Sequence, residues 1–103
     1  MEEEEIKKYA EKYLNRVYWD ISDARESFIK GANKEDIEEK LNKINFNYDI
    51  VSDEEFKEDW EKLVDEFEKM DENDFRQKLM VDKIFCDLAN KIAEKRMKLR
   101  EEF

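Results

Sequence analysis

The stretch EEFKEDWEKLVDEFE, residues 54–68, decides the fold class. Phe56, Trp60, Leu63, Val64 and Phe67 recur at three- and four-residue intervals. That is the spacing of one helix face, not the alternation of a strand. At 100° per residue they occupy an arc of about 120°. Glu58, Glu61 and Asp65 lie nearly opposite, with Glu68 beside them. The stretch holds eight carboxylates and two lysines, so its polar face is strongly acidic.

The flanking residues read as helix punctuation. Ser52 with Glu55 makes a capping box, and Val51 with Phe56 a hydrophobic staple, so a helix is expected to begin there and to end near Met70. Asp71 with Asp74, and Met70 with Phe75, repeat the pattern and predict that the last helix starts just after Asp71 and runs to about Arg100. Upstream, Ile6, Ala10, Tyr13, Val17, Ile21, Ala24 and Phe28 form one stripe, with Leu14 at its edge, which predicts a helix from about Glu3 to Lys30. Gly31, the only glycine, suits the left-handed residue after a helix end. Asn33 with Asp36 caps a shorter helix carrying Ile37, Leu41 and Ile44, and residues 45–49 read as a loop. The expected fold is all-α: one domain over residues 1–103, an antiparallel four-helix bundle with long first and last helices. A dimer of such bundles is the alternative.

Bulk composition agrees. The 103 residues are 40% apolar and 13% aromatic, enough for one modest core, and they contain no proline. The formal net charge is −10. Such a chain repels nucleic acid and anionic membrane and attracts basic partners. The acidic start, Met1 to Glu5, is unlike a signal peptide, and the apolar runs are too short to span a membrane. The single Cys86 suits a reducing compartment. The expectation is a cytoplasmic protein.

Several chemistries lose their residues. With no histidine, the usual general base, the serine triad and histidine-based zinc or di-iron sites are missing. One glycine cannot build a phosphate loop. Residues 71–74, DEND, begin like a calcium loop but lack its glycine and distal glutamate. Neither a metal nor a cofactor is expected, and the chain reads as a non-enzyme. A remote enzymatic alternative is a Mg²⁺-dependent all-helical nucleotide pyrophosphohydrolase, for which Glu35, Glu38, Glu58 and Glu61 have the ExxE-like spacing.

The charge is unevenly placed. Residues 49–74 carry thirteen acids and three bases, whereas residues 75–103 carry five acids and eight bases. Favourable and unfavourable i,i+4 pairs within residues 54–72 nearly cancel, so local helix stability does not account for the excess. Asp59 and Glu66 flank the apolar stripe and are placed to reach a basic residue on a neighbouring helix. Glu58, Glu61, Asp65 and Glu68 form an outward row about 15 Å long, in steps comparable to the phosphate spacing of one DNA strand. The bland reading of this excess is solubility; the functional one is a docking surface for a basic groove.

Trp19 lies opposite the apolar stripe of the first helix, among Lys8, Lys12, Asn15 and Arg16. An exposed tryptophan is an interface candidate. The competing expectation is that the 45–51 segment, with Phe46, Tyr48 and Ile50, folds over it. The last helix is apolar on two sides. Val81, Ile84, Phe85, Leu88, Ile92 and Leu99 form one stripe, and Phe75, Leu79, Cys86, Ala89, Ala93 and Met97 the other. The second stripe makes Leu79, Cys86, Ala89, Ala93 and Met97 a candidate dimer interface.

In size and charge the chain resembles small acidic inhibitors, including phage anti-CRISPR and anti-restriction proteins that imitate nucleic acid, and helical toxin-immunity proteins. The likeness is one of profile and carries no motif. It implies a basic, nucleic-acid-binding partner such as a nuclease effector, met through Glu58, Glu61, Asp65, Glu68 and Trp19, with no direct binding of nucleic acid. The alternative is a homodimeric scaffold or immunity protein that binds through apolar helix faces.

Overall fold

The computed structural model describes residues 3–44 and 54–101, which are all-helical apart from short turns. The helices are α1 (Glu3–Ile29), α2 (Lys34–Asn42), α3 (Glu54–Lys69) and α4 (Phe75–Glu101). The described residues contain no helix long and apolar enough to cross a membrane.

α1 ends as its sequence predicts. Gly31 has φ +85°, and the Ala32 amide donates to the Ser27 carbonyl while the Gly31 amide donates to that of Phe28. This crossed pair is a Schellman closure, which satisfies carbonyls the helix end would otherwise leave open. Two residues later the Asn33 side chain accepts from the Asp36 amide at 2.9 Å, capping α2. The Ser52–Glu55 box and the 45–49 loop lie outside the described residues.

The start of α4 corrects the sequence expectation. Its cap is Asp74, not Asp71: the carboxylate of Asp74 accepts from the amides of Arg76 and Gln77. Asp71 instead accepts from the Asn73 amide within the turn. Gln77 joins the two, its amide group donating to Asp74 and its carbonyl accepting from the Asp71 backbone. Asp71 and Asp74 are both competent caps, and the bridge from Gln77 selects the later one. Phe75 is therefore no staple for buried Met70; it is 71% exposed.

The core forms where the apolar stripes meet. Leu14, Val17, Ile21 and Ala24 of α1 pack with Ile37 and Leu41 of α2, Phe56, Leu63 and Phe67 of α3, and Val81, Phe85, Leu88 and Ile92 of α4. Leu14, expected at the edge of its stripe, is fully buried. Phe28 brings three helices together, its ring centroid 6.2 Å from that of Phe67 and 5.8 Å from that of Phe85. Burying each of the larger side chains contributes about 1.5–3 kcal/mol, so this shared interior holds the helices together.

α1 and α4 pack along their length. Glu11 pairs with Arg96 at 2.8 Å, and Arg25 with Asp82 at 2.8 Å, so the contacts climb one helix as they descend the other. α2 lies on α1, and α3 on α4. The molecule measures 49 × 20 × 19 Å.

Candidate functional site

α3 presents the acidic row on its outer side because Phe56, Leu63 and Phe67 turn inward. Glu58, Glu61, Asp65 and Glu68 are all exposed, so the structure brings these four sequence candidates onto one solvent-facing side. Asp65 is partly engaged: it accepts from Lys69 at 2.9 Å, one turn along the helix. That hydrogen bond, followed by the negative charge of Asp65 itself, raises the lysine's pKa. Glu68 stands nearest α2, beside Glu38 and Asn42 at the rim of a small cleft.

Asp59 behaves as its position on the stripe's border predicts. It accepts from Lys91 of α4 at 2.6 Å and ties the two helices together. The acidic excess of α3 thus divides by direction. Asp59 on the flank is used within the fold, and the outer row faces solvent.

Basic residues of α4 serve the fold. Arg96 donates to Glu11, and Arg100 lies 3.9 Å from the same carboxylate. Lys34 is a fold residue that sequence reasoning missed. Its ammonium donates to the carbonyls of Glu68 and Met70, closing the end of α3, and it sits 5.8 Å from the Phe67 ring centroid. Nothing in the sequence around Lys34 marks this role, because both acceptors are backbone atoms of a distant helix end. The cavity there, about 230 Å³, is lined by Phe28, Phe67 and Met70 as well as Lys34. It is smaller than an ordinary small-molecule pocket.

Trp19 is 63% exposed, its ring set edge-on against Tyr18 at 5.5 Å. Residues 45–51, expected to fold over it, lie outside the described residues. Trp19 lies on α1 and the acidic row on α3. α1 and α3 turn their apolar faces to the same core, so their outward faces point in different directions.

The second stripe of α4 remains at the surface. Leu79 is 53% and Met97 62% exposed, in line with Phe75. Cys86 and Ala93 are half-buried between them, and Ala89 leans onto the core. Ile29, 57% exposed, was not singled out from the sequence. It lies one turn beyond Arg25, near the Phe75–Leu79 end of the stripe. Its signal was a break in period, for it falls about 100° off the α1 stripe.

Among the described residues, no three carboxylate or thiol side chains come together in a set able to hold a metal ion. Glu35, Glu38, Glu58 and Glu61 therefore do not converge. Compared with protein-family models, curated proteins and solved structures, the chain matches none of them.

Proposed function

We propose that the protein is a non-enzymatic, acidic inhibitor that docks through the outer face of α3 in the basic, nucleic-acid-binding cleft of another protein, such as a nuclease effector. The observation that carries this reading is the exposed row Glu58, Glu61, Asp65 and Glu68, set on a helix whose flanking Asp59 serves the fold instead. In mechanism, the row occupies cationic positions otherwise filled by phosphates and steers the encounter at long range. The carboxylates supply the charge, and the exposed Trp19 of α1 is the rim anchor of the same reading. The antiparallel four-helix bundle is part of the same reading. It is supported by the opposite order of the Glu11–Arg96 and Arg25–Asp82 pairs, and it makes α3 a rigid platform.

The test is capture from a bacterial lysate followed by quantitative binding. A nucleic-acid-binding protein should be retained, be released by added DNA or moderate salt, and be lost when Glu58, Glu61, Asp65 and Glu68 are all changed to Lys. Capture that survives all four substitutions would refute the reading.

A second reading, a helical scaffold or immunity protein that binds through apolar faces, draws on Phe75, Leu79 and Met97, each more than half exposed along one side of α4.

A further inference from the structure

We infer that α4 pairs with α4 of a second copy of this chain, antiparallel, about a twofold axis passing beside Cys86. The inference rests on the apolar-face reading and is independent of the acidic one. At 100° per residue, Phe75, Leu79, Cys86, Ala93 and Met97 fall within roughly 40° of one another, a straight strip about 33 Å long. The buried residues of α4 occupy a separate arc, so the strip is not part of the chain's own core.

The order of residues along the strip is what selects the occupant. Reversing the helix about Cys86 sets Phe75 opposite Met97, Leu79 opposite Ala93 and Cys86 opposite itself. Large meets small at Leu79–Ala93, and an aromatic ring meets a thioether at Phe75–Met97, a favourable contact. An isologous interface requires this self-complementarity.

Charge supplies the second reason. Arg76, Lys83, Asp87 and Glu94 lie along one flank of the strip, roughly 60–100° from its centre. All four are exposed, and no ion pair among the described residues engages their side chains. The two bases come first and the two acids last. In an antiparallel pair the twofold axis stands across the helices and keeps this flank on the same side of both copies. Lys83 then lies beside Asp87 of the second copy and Arg76 beside Glu94, each twice by symmetry, with an axial offset of about 3 Å that long side chains span. In a parallel pair the axis runs along the helices and carries the two flanks to opposite sides, where these charges do not meet. The face also belongs to the basic part of the chain, since residues 75–103 hold eight bases and five acids. Two copies therefore meet without bringing their α3 rows together.

A strip about 33 Å long and about 10 Å wide covers about 330 Å², roughly two-fifths of the area per partner of a standard interface. The expected dimer is thus a weak one, with a dissociation constant in the micromolar range.

The experiment is sedimentation equilibrium on the full chain from about 1 to 300 µM, bracketing the expected constant. Wild type should show a reversible monomer–dimer equilibrium. Lys83→Asp and Asp87→Lys should each weaken self-association about tenfold, since each substitution creates two like-charge contacts. An equimolar mixture of the two variants should restore dimerisation, because each carboxylate of the first variant then faces an ammonium of the second. A short bismaleimide should link Cys86 to Cys86 in the wild-type dimer. Circular dichroism of the single variants establishes that both are folded. A wild-type chain that stays monomeric overturns the inference. A dimer indifferent to both variants, or two variants that fail to recombine, also overturns it while leaving binding through the apolar face intact. Loss of dimerisation in Leu79→Asp without any charge effect would point to that outcome.

Discussion

Arg25 forks onto Asp82 across 57 residues of chain, Nε to Oδ1 at 2.8 Å and Nη2 to Oδ2 at 3.3 Å. The pair fixes the register of α1 against α4. It is bidentate but about one-third exposed, so it is stronger than a single surface ion pair and weaker than a buried one. Arg25→Ala should cost about 1 kcal/mol, or about 5 °C in Tm. The exchange Arg25→Asp with Asp82→Arg should recover part of that loss. A double-mutant cycle by thermal melting measures the coupling, and a coupling of zero would remove this pair from the account of the register.

Phe67 is buried against Phe28 and the other core side chains. Phe67→Ala should destabilise the fold by about 3–5 kcal/mol, because it removes a ring from a packed interior that cannot collapse fully. Phe75→Ala, on an exposed residue, should change the stability of the monomer by less than about 0.5 kcal/mol. Urea titration at low protein concentration separates the two.

At the α4 start, Asp74→Ala should cost about 1 kcal/mol, the usual value of an N-cap carboxylate. Asp71→Ala should cost less, since its side chain holds one turn amide only. Equal losses would mean that the turn and the cap act as one unit through Gln77.

Gly31 tests backbone strain alone. A methyl group there would meet no atom within 4 Å, yet φ is +85°. Gly31→Ala should therefore cost about 1 kcal/mol through conformation and not through a clash, and Gly31→Asn should cost less. Chemical denaturation of both variants checks the order.

Stability should be flat from neutral pH to about pH 9.5 as far as the perturbed bases are concerned. Three have raised pKa values: Arg25 through its hydrogen bond to Asp82, Lys30 through Glu26 and Lys69 through Asp65. A raised base contributes fully below its unfolded value and loses that contribution only as pH rises through the folded one. For the lysines that window opens above about pH 10.4, and for Arg25 higher still. Thermal melts across pH 7–11 should fall only at the alkaline end. A decline between pH 7 and 9 would require a group other than these three.

Local signals settled much of the molecule. The three- and four-residue spacing of Val17, Ile21, Leu63 and Phe67 determined that the chain is helical and which residues share a face, because an α-helix brings such positions together whatever surrounds it. Gly31 and Asn33 marked a helix end and a helix start through their own backbone and side-chain chemistry. The outward direction of Glu58, Glu61, Asp65 and Glu68 followed from the same periodicity. Tertiary structure decided what depends on partners distant in sequence. Arg25, Lys34 and Arg96 looked like ordinary surface charges until the packing of α1 on α4, and of α2 beside the end of α3, brought Asp82, two backbone carbonyls and Glu11 within reach. The second stripe of α4 was legible as apolar, but its exposure was not. Periodicity gives the angle of a side chain about its own helix axis, and only the positions of the other helices determine whether that angle points into a core or out to solvent.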